Sequence, residues 1–307
     1  MQKPSKHFIG ASALLLVTLL WGATFVIVKE SLNSASPMIF IASRFTIASV
    51  LFLPFVIYKK VKFNSAAVKT GIILGVLLFM GFATQTVGLK YTTATKSGFI
   101  TGSAVVMIPI LQTIIHRKPP TKASIIGVVL VTIGILFLSS GGNSIFTFLS
   151  ELGGSFNFGD FLTFLCAFFF AAYIIYLESN SAEHDFMNLL SVQLIVTALL
   201  GFSAALIFSS TGIEEARIEF TPYLIFGLIY TSVFATLITT ALHTKYQKDV
   251  SPTKTGIIFS LEPIFAAVFA YFLLNEIITN FGFIGSILII AGLLISEVSD
   301  SFKRKHV

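Results

Sequence analysis

Residues 250–264 read VSPTKTGIIFSLEPI, and a long apolar run that ends at Asn275-Glu276 follows them. The stretch places one carboxylate, Glu262, about a third of the way into a helix of membrane length, with Pro263 directly after it. Burying a carboxylate in hydrocarbon costs at least about 2.5–3.5 kcal/mol, so Glu262 is expected to serve function or structural pairing. Proline removes one backbone donor and frees carbonyls one turn earlier, which favours a kinked helix that lines a polar path.

The composition of the whole chain is typical of a polytopic membrane protein. Of its residues, 55% are hydrophobic and 11% are charged, whereas soluble domains average about 25% charged. The net charge is +6, but the basic residues lie in short clusters between apolar blocks. Clusters in that position set orientation in the membrane, so no nucleic-acid partner is expected. The single cysteine, Cys166, lies in an apolar block and is interpreted as inert packing.

Ten apolar blocks can each cross a hydrocarbon core about 30 Å thick. They fall at roughly 8–28, 37–58, 70–89, 97–115, 123–139, 159–177, 187–209, 222–243, 255–274 and 281–298. The first block follows Lys3 and Lys6 but is too long for a signal peptide, so it is interpreted as a retained helix.

Basic residues predict the orientation of these blocks. With the amino terminus in the cytoplasm, fifteen Lys and Arg residues lie inside, four lie outside (Lys29, Lys90, Lys96 and Arg217), and Arg44 falls within a span. Because cytoplasmic loops are enriched in Lys and Arg, both termini are predicted to be cytoplasmic.

The chain divides into two halves of five spans. A segment rich in Gly, Ser and Asn separates residues 1–140 from residues 159–307, and residues 141–158 form an outer linker. Because five is odd, the second half must enter the membrane in the opposite sense to the first.

The two halves resemble each other at fixed spacings. An offset of 158 pairs Lys96 with Lys254, Gly98 with Gly256, Gly127 with Gly285 and Gly134 with Gly292; an offset of 149 pairs Trp21 with Phe170 and Arg44 with Gln193 in the earlier spans. Inverted repeats are common in secondary transporters, whose halves exchange conformations around a central site. We therefore expect an all-α membrane protein of ten transmembrane helices, arranged as two inverted five-helix repeats around a central cavity.

Several motifs resemble the EamA family of the drug/metabolite transporter superfamily. They are LLWGATFVIVK at 19–29, Arg44, YTTA at 91–94, SLEPIF at 260–265 with LNE at 274–276, Gly285, and Ala291-Gly292. The resemblance covers essentially the whole chain. It implies an inner-membrane carrier that exports amino acids or other small metabolites. One departure is Lys118, which stands where the first half of the family often carries an acid, as the second half does with Glu276.

Intramembrane charges are the first candidates for a substrate path. Glu262 can bind a substrate ammonium, relay a proton or belong to a structural hydrogen-bond network. Arg44 lies about 10 Å deep, and a direct ion pair between it and Glu262 is not expected because their depths differ by roughly 10 Å. For Arg44 we favour a structural role, satisfying carbonyls between helices, over binding of a substrate carboxylate.

Polar and aromatic residues complete the predicted path. The symmetry mates Gln85 and His243 either face a shared cavity or make an interhelical hydrogen bond, and His243 is also compatible with the membrane surface. The other candidates are Ser260, Thr101, Trp21, Thr24 and Tyr173, the last being the mate of Thr24. Gly71, Gly75, Gly98 and Gly102 are interpreted as sites of close helix packing.

Other function classes find less support. There is no His-Glu-x-x-His, nucleophile elbow or pair of intramembrane aspartates for an enzyme, and no phosphate-binding loop for an ATP-driven pump. A nucleotide-sugar or organic-phosphate exchanger would need several cations in the cavity, where only Arg44 is expected. An exporter of hydrophobic cations or drugs remains an alternative, because Glu262 can bind a cation. A zwitterionic amino acid fits the available groups best.

The expected partners are thus a small-molecule substrate and the lipid bilayer. The chain is expected to work as a monomer or homodimer, without a cofactor or a metal.

Overall fold

The computed structural model describes residues 5–117, 119–140, 144, 146–147, 149–150, 156–274 and 279–303. Lys118, Asn275 and Glu276, which the sequence singled out, lie outside these residues. The described chain is helical apart from its turns and one isolated bridge between Ala35 and Ile218.

Ten spans are formed by the described residues, and they confirm the expected all-α architecture. The first five spans are Lys6–Trp21 with Thr24–Ser31, Pro37–Tyr58, Ser65–Tyr91, Ala94–Gly102 with Ala104–His116, and Lys122–Ser139. The sixth and seventh are Phe158–Asn180 and Phe186–Ser210, and the eighth comprises Pro222–Ser232, a π-helix Val233–Ile238, Thr239–Tyr246 and a 3₁₀ turn Gln247–Asp249. The ninth is Pro252–Phe259 with Glu262–Leu274, and the tenth is Asn280–Lys303.

The first eight spans are long and apolar enough to cross a membrane. The tenth has an apolar helical portion, Asn280–Ser296, and the ninth is divided by a turn at Ser260 and Leu261. Large apolar side chains such as Ile114, Leu206 and Ile229 point away from the bundle and are more than half exposed. An outward apolar surface of this kind suits contact with lipid, because spanning helices satisfy their own backbone hydrogen bonds.

Short polar residues determine where most spans begin. Their side chains accept a hydrogen bond from a backbone N–H in the first turn, which satisfies one of the donors that a helix end leaves without a partner. These caps are Asn64, Thr93, Thr121, Asn157, Asp185 and Thr221.

The bundle has two ends, which we name by the segments that meet there. At the terminal face, His7 near the start of the first span contacts the carbonyl of Asp249 at 3.1 Å, and Asn188 donates to the carbonyl of Lys62 at 2.6 Å. At the linker face, where the fifth span ends and the sixth begins, the backbone of Ser36 pairs with that of Arg217.

The helix packing repeats under exchange of the two halves. The third span packs on the sixth at Gly88, where an added Cβ would lie 2.9 Å from the carbonyl oxygen of Gly159. The offsets of 158 and 149 map this pair onto Tyr246 and Gly10, and an added Cβ on Gly10 would lie 3.4 Å from the carbonyl oxygen of Tyr246. The eighth and first spans therefore repeat the contact of the third and sixth, as two inverted five-helix repeats require.

The small residues play different parts from one another. Gly71 and Gly75 pack closely on Val192 and Val196 of the seventh span, where an added Cβ would lie 2.6 and 2.7 Å from the valine Cβ atoms. The expectation of close packing is wrong for Gly98, because the nearest atom to its added Cβ would be 3.9 Å away, on Phe25. Gly98 borders open space because it lines the central cavity.

Candidate functional site

A central cavity of about 100 Å³ lies between the two repeats. Its described lining comes from seven spans: the first, second, third, fourth, sixth, eighth and ninth. Since a single water needs roughly 10–15 Å³, the cavity has room for several waters or a small solute.

The structure brings every candidate residue from the sequence to this cavity. Its lining includes Glu262, Ser260, Gln85, Trp21, Thr24, Thr101, Tyr173 and His243, and also Arg44. Their part in transport stays a prediction.

Glu262 lies at a break in the ninth span. The helix Pro252–Phe259 ends, Ser260 and Leu261 form a turn, and Glu262 begins the next helix with Pro263 behind it. Proline is well suited to the first turn of a helix, and the positive end of the helix dipole favours a carboxylate there. Among the described residues, no donor or cation pairs with Glu262. The carboxylate is therefore available to a cationic group that enters the cavity.

The fourth span is broken at the equivalent place. Its two helices meet at Ser103, which an offset of 158 maps onto Leu261. Pro109 lies six residues further along and inside the second helix, so proline does not cause this break. The hydroxyl of Ser103 donates to the carbonyl of Ile100 at 2.6 Å, which compensates for part of the interrupted helix ladder. The two breaks thus place non-helical backbone beside the cavity in both repeats.

Arg44 reaches across to the eighth span. Its Nε donates to the Thr236 hydroxyl, and its Nη2 donates to the carbonyl of Ala235 at 2.8 Å. The guanidinium carbon lies 4.5 Å from the centre of the Phe82 ring, close enough for a cation–π interaction. As expected, no ion pair joins Arg44 to Glu262 in the described structure.

The π-helix of the eighth span explains why Ala235 can accept these bonds. A π-helix shifts the backbone register by one residue and leaves a carbonyl outside the normal ladder. The Ala235 carbonyl accepts from Arg44 and also from the Trp21 indole, at 3.2 Å. The first helix of the chain ends at Trp21, directly before the break at Gly22 and Ala23. One freed carbonyl thus holds both side chains at the cavity wall.

His243 is buried inside the helix bundle. It is 3% exposed, and its Nε2 lies 2.7 Å from Oε1 of Gln247, in the same span. Three rings pack edge-on around the imidazole, with centroid distances of 6.4 Å to Trp21, 5.4 Å to Tyr173 and 5.1 Å to Phe259. The imidazole of His243 therefore lies inside the bundle, where the helix Thr239–Tyr246 packs on the first and seventh spans.

The two ends of the cavity differ. On the terminal side, all residues from Pro252 to Ile258 are buried, and an added Cβ on Gly256 would lie 2.7 Å from Cδ1 of Ile108 in the fourth span. On the linker side, the equivalent stretch 94–100 is partly exposed, and Gly98 meets no such contact. The fourth and ninth spans therefore close the cavity toward the terminal face and stand apart toward the linker face.

A buried ion pair at the linker face joins Asp160 to Lys96, and the sequence did not predict it. Asp160 is fully buried and accepts hydrogen bonds from Lys96 Nζ at 3.0 Å, from the Thr92 hydroxyl and from the backbone of Asn157 at 3.1 Å. The spacing from Asn157 to Asp160 is that of a capping box. That signal predicts the helix start, but nothing local points to Lys96.

Comparison with known proteins follows the same division into halves. Residues 8–140 and 157–297 each match the EamA-like transporter family. An uncharacterized transporter of Archaeoglobus fulgidus is 36% identical over 290 residues, which cover 94% of this chain and 86% of the relative. The uncharacterized transporter YyaM of Bacillus subtilis is 26% identical and covers 94% of this chain and 93% of its own.

A solved crystal structure has the same fold. It superposes with a TM-score of 0.75 at 14% identity and covers 94% of this chain and 96% of its own. The two matched halves, the archaeal relative and the shared fold agree with one another. The chain belongs to the EamA-like transporter family of the drug/metabolite transporter superfamily and is a multi-pass membrane transporter, not an enzyme.

Proposed function

We propose that the protein is a secondary transporter of the inner membrane that exports amino acids or similar small metabolites by alternating access. The observation that carries the proposal is Glu262, a carboxylate without a partner among the described residues, on the wall of the central cavity. An intramembrane acid in that position suits recognition of an ammonium group. The hydroxyls and aromatic rings around it suit the rest of a small amino acid.

The charges of the cavity also argue against the alternatives. A phosphate group carries up to two negative charges and is held by several cations, but Arg44 is the only cation in the described lining. A hydrophobic cation would be attracted by Glu262 and repelled by Arg44. A zwitterion has a counterpart for each charge.

Alternating access follows from the exchange of the two repeats. The fourth and ninth spans close the terminal side in this conformation, and the repeat symmetry supplies a second conformation in which they close the linker side. The charge bias of the loops predicts that the terminal face lies in the cytoplasm. In export, the substrate then enters the cavity from the terminal side. The fourth and ninth spans next close the terminal side and open the linker side, and the substrate leaves at the linker face.

Efflux from proteoliposomes tests the proposal. Vesicles are loaded with a mixed pool of amino acids and common metabolites, and the lost compounds are identified by mass spectrometry, with and without an imposed pH gradient. We expect selective loss of a few amino acids from vesicles with the native protein. Loss of hydrophobic cations or phosphorylated compounds alone would reject the amino acid assignment.

The variant Glu262→Gln tests the residue on which the proposal depends. It removes the charge and keeps the shape, so we expect efflux to fall while thermal unfolding in detergent stays unchanged. Glu183→Gln is a matched control, because Glu183 is exposed in the loop between the sixth and seventh spans. Unchanged efflux of Glu262→Gln at all pH values would remove Glu262 from the mechanism.

A further inference from the structure

We infer that Arg44 binds the anionic group of the substrate and that the cavity therefore selects molecules with a carboxylate. This inference rests on the proposed function and assigns the second charged contact of the same site. It departs from the purely structural role that the sequence favoured for Arg44.

Arg44 is a buried cation without a counter-ion among the described residues. It is 3% exposed, and no carboxylate of the described residues lies within ion-pair distance of its guanidinium. Charged groups inside the membrane are rare unless they pair with one another or serve function. Arg44 lines the cavity, so the missing negative charge can come from a bound solute.

The guanidinium is held along one edge, and its other edge is available for a further hydrogen bond. Nε is bonded to Thr236 and Nη2 to Ala235, while Nη1 has no hydrogen-bond partner among the described residues. The Phe82 ring, 4.5 Å from the guanidinium carbon, supports one face of the plane. A planar fork that is already fixed on one side loses little entropy when a carboxylate binds to its other side.

The equivalent position in the other repeat is arranged differently. The symmetry mate of Arg44 is Gln193, whose amide oxygen and nitrogen both have partners: the Tyr173 hydroxyl donates to its Oε1 at 2.8 Å, and its Nε2 donates to Thr244 at 2.7 Å. The third span, which corresponds to the eighth, is an uninterrupted α-helix over Ser65–Tyr91. At this place in the second repeat, a neutral side chain with neutral partners thus suffices for packing.

The arrangement around Arg44 departs from this one in two linked ways. The second span carries the charged Arg44, and the eighth span, which receives it, contains a π-helix whose Ala235 carbonyl accepts from the guanidinium. Together these features fix a charged donor at the cavity wall, and helix packing requires neither. π-Helical turns often mark functional sites for this reason.

The chemistry of the site indicates a singly charged, planar anion. Arginine matches the two oxygens of a carboxylate with parallel N–H donors. The described lining has no second cation to hold a phosphate. An α-carboxylate of an amino acid meets both conditions.

The test compares acids with their amides in the full-length protein. Proteoliposomes are loaded with either the twenty protein amino acids or the corresponding α-carboxamides, and efflux is measured for the native protein, Arg44→Gln and Arg44→Lys. Arg44→Gln installs the residue that the second repeat already accommodates, and thermal unfolding reports whether it folds. Arg44→Lys keeps the charge without the fork.

We expect Arg44→Gln to lower efflux of the acids by about 10- to 100-fold and to leave the amides close to the native level. For Arg44→Lys, efflux of the acids should lie between that of the native protein and that of Arg44→Gln. An equal loss for acids and amides would show a structural role and overturn the inference while the proposed function stands. Unchanged efflux of the acids would overturn it too. Absence of efflux from the native protein in both pools would reject the proposed function, and the inference with it.

Discussion

Gly134 of the fifth span and Gly285 of the tenth cross backbone to backbone. A Cβ added to Gly134 would lie 2.7 Å from the carbonyl oxygen of Gly285, and one added to Gly285 would lie 2.5 Å from that of Gly134. Gly127 and Gly292 meet in the same way, at 2.8 Å in both directions. The offset of 158 turns one pair into the other, so this crossing lies on the symmetry axis of the two repeats.

Replacing Gly134 by Ala should therefore destabilise the protein. The added methyl group meets backbone atoms, which cannot rotate away, and overpacking of this kind costs about 1–3 kcal/mol. We expect a lower thermal unfolding midpoint in detergent.

Gly98→Ala is the matched control. Outside its own helix, no atom of the described residues lies nearer than 3.9 Å to its added Cβ, and alanine is favoured over glycine inside a helix by about 0.5–1 kcal/mol. Its unfolding midpoint should stay level or rise. An equal loss for both variants would mean that the fifth and tenth spans do not cross as described.

The sequence predicted the fold well because the repeat signal consists of small residues. Repeat-related glycines such as Gly127 and Gly285 occur at the same offset in both halves, since any side chain at either position would push two packed helices apart. The difference between Gly71, which is packed, and Gly98, which is not, could not be predicted. Both stand in apolar helices, and only the positions of the neighbouring spans decide which one borders the cavity.

The protonation of His243 follows from a chain of hydrogen bonds. The carbonyl of Val250 can only accept, so the Gln247 nitrogen at 3.0 Å must donate to it. Gln247 Oε1 then faces His243 Nε2 at 2.7 Å as an acceptor. We predict that neutral His243 carries its proton on Nε2, which leaves the Nδ1 lone pair beside the aromatic rings.

Nitrogen-15 NMR of histidine-labelled protein measures this tautomer. The signal of His243 is identified by its loss in His243→Asn, and we expect the Nε2–H form. Gln247→Leu removes the acceptor and should allow both tautomers. An Nδ1–H form in the native protein would contradict the orientation of the Gln247 amide.

The ion pair of Lys96 and Asp160 should stabilise the linker face. Asp160→Asn keeps an oxygen for Thr92 but removes the negative charge from a fully buried position. Hydrogen bonds to charged groups contribute about 1.5–3 kcal/mol, so we expect a clear fall in the thermal unfolding midpoint.

A surface pair provides the comparison. Arg217 and Glu219 lie 2.8 Å apart with side chains 46% and 59% exposed, and such pairs contribute about 0–1 kcal/mol. Glu219→Gln should leave the midpoint nearly unchanged. Similar effects of the two variants would mean that Asp160 is solvated in the native protein.

The predicted topology can be tested with single cysteines in a Cys166→Ala background. Ser144 is exposed in the linker, and Lys60 is exposed at the terminal face. A membrane-impermeant maleimide added to intact cells should label Ser144→Cys and leave Lys60→Cys unlabelled until the cells are opened. The reverse pattern would invert the orientation and with it the direction of export.

The candidate site was predictable as a list of residues and not as an arrangement. Polar side chains in apolar helices, such as Gln85 and Glu262, are visible in the sequence because they are expensive to bury. The π-helix beside Arg44 is not visible, since Val233–Ile238 has an ordinary apolar composition. It could be found only by seeing which carbonyl the guanidinium reaches.

Exchange of the two repeats makes a specific prediction about the second conformation. Gly256 is packed against Ile108 on the terminal side, and the offset of 158 maps this pair onto Gly98 and Ala266. Alternating access requires the second pair to come together when the first separates. In a Cys166→Ala background, the double variants Ile108→Cys with Gly256→Cys and Gly98→Cys with Ala266→Cys should each form a cross-link with a short thiol-reactive reagent.

Each cross-link should stop efflux by trapping one conformation, and the traps should differ. Locking Ile108 to Gly256 keeps the linker side open, so a cysteine at Thr101, on the cavity wall, should react with an impermeant maleimide from the linker side. Locking Gly98 to Ala266 should protect the same cysteine from that side. If the second pair never cross-links while the first does, the repeats do not exchange, and transport must proceed by a movement that the symmetry does not describe.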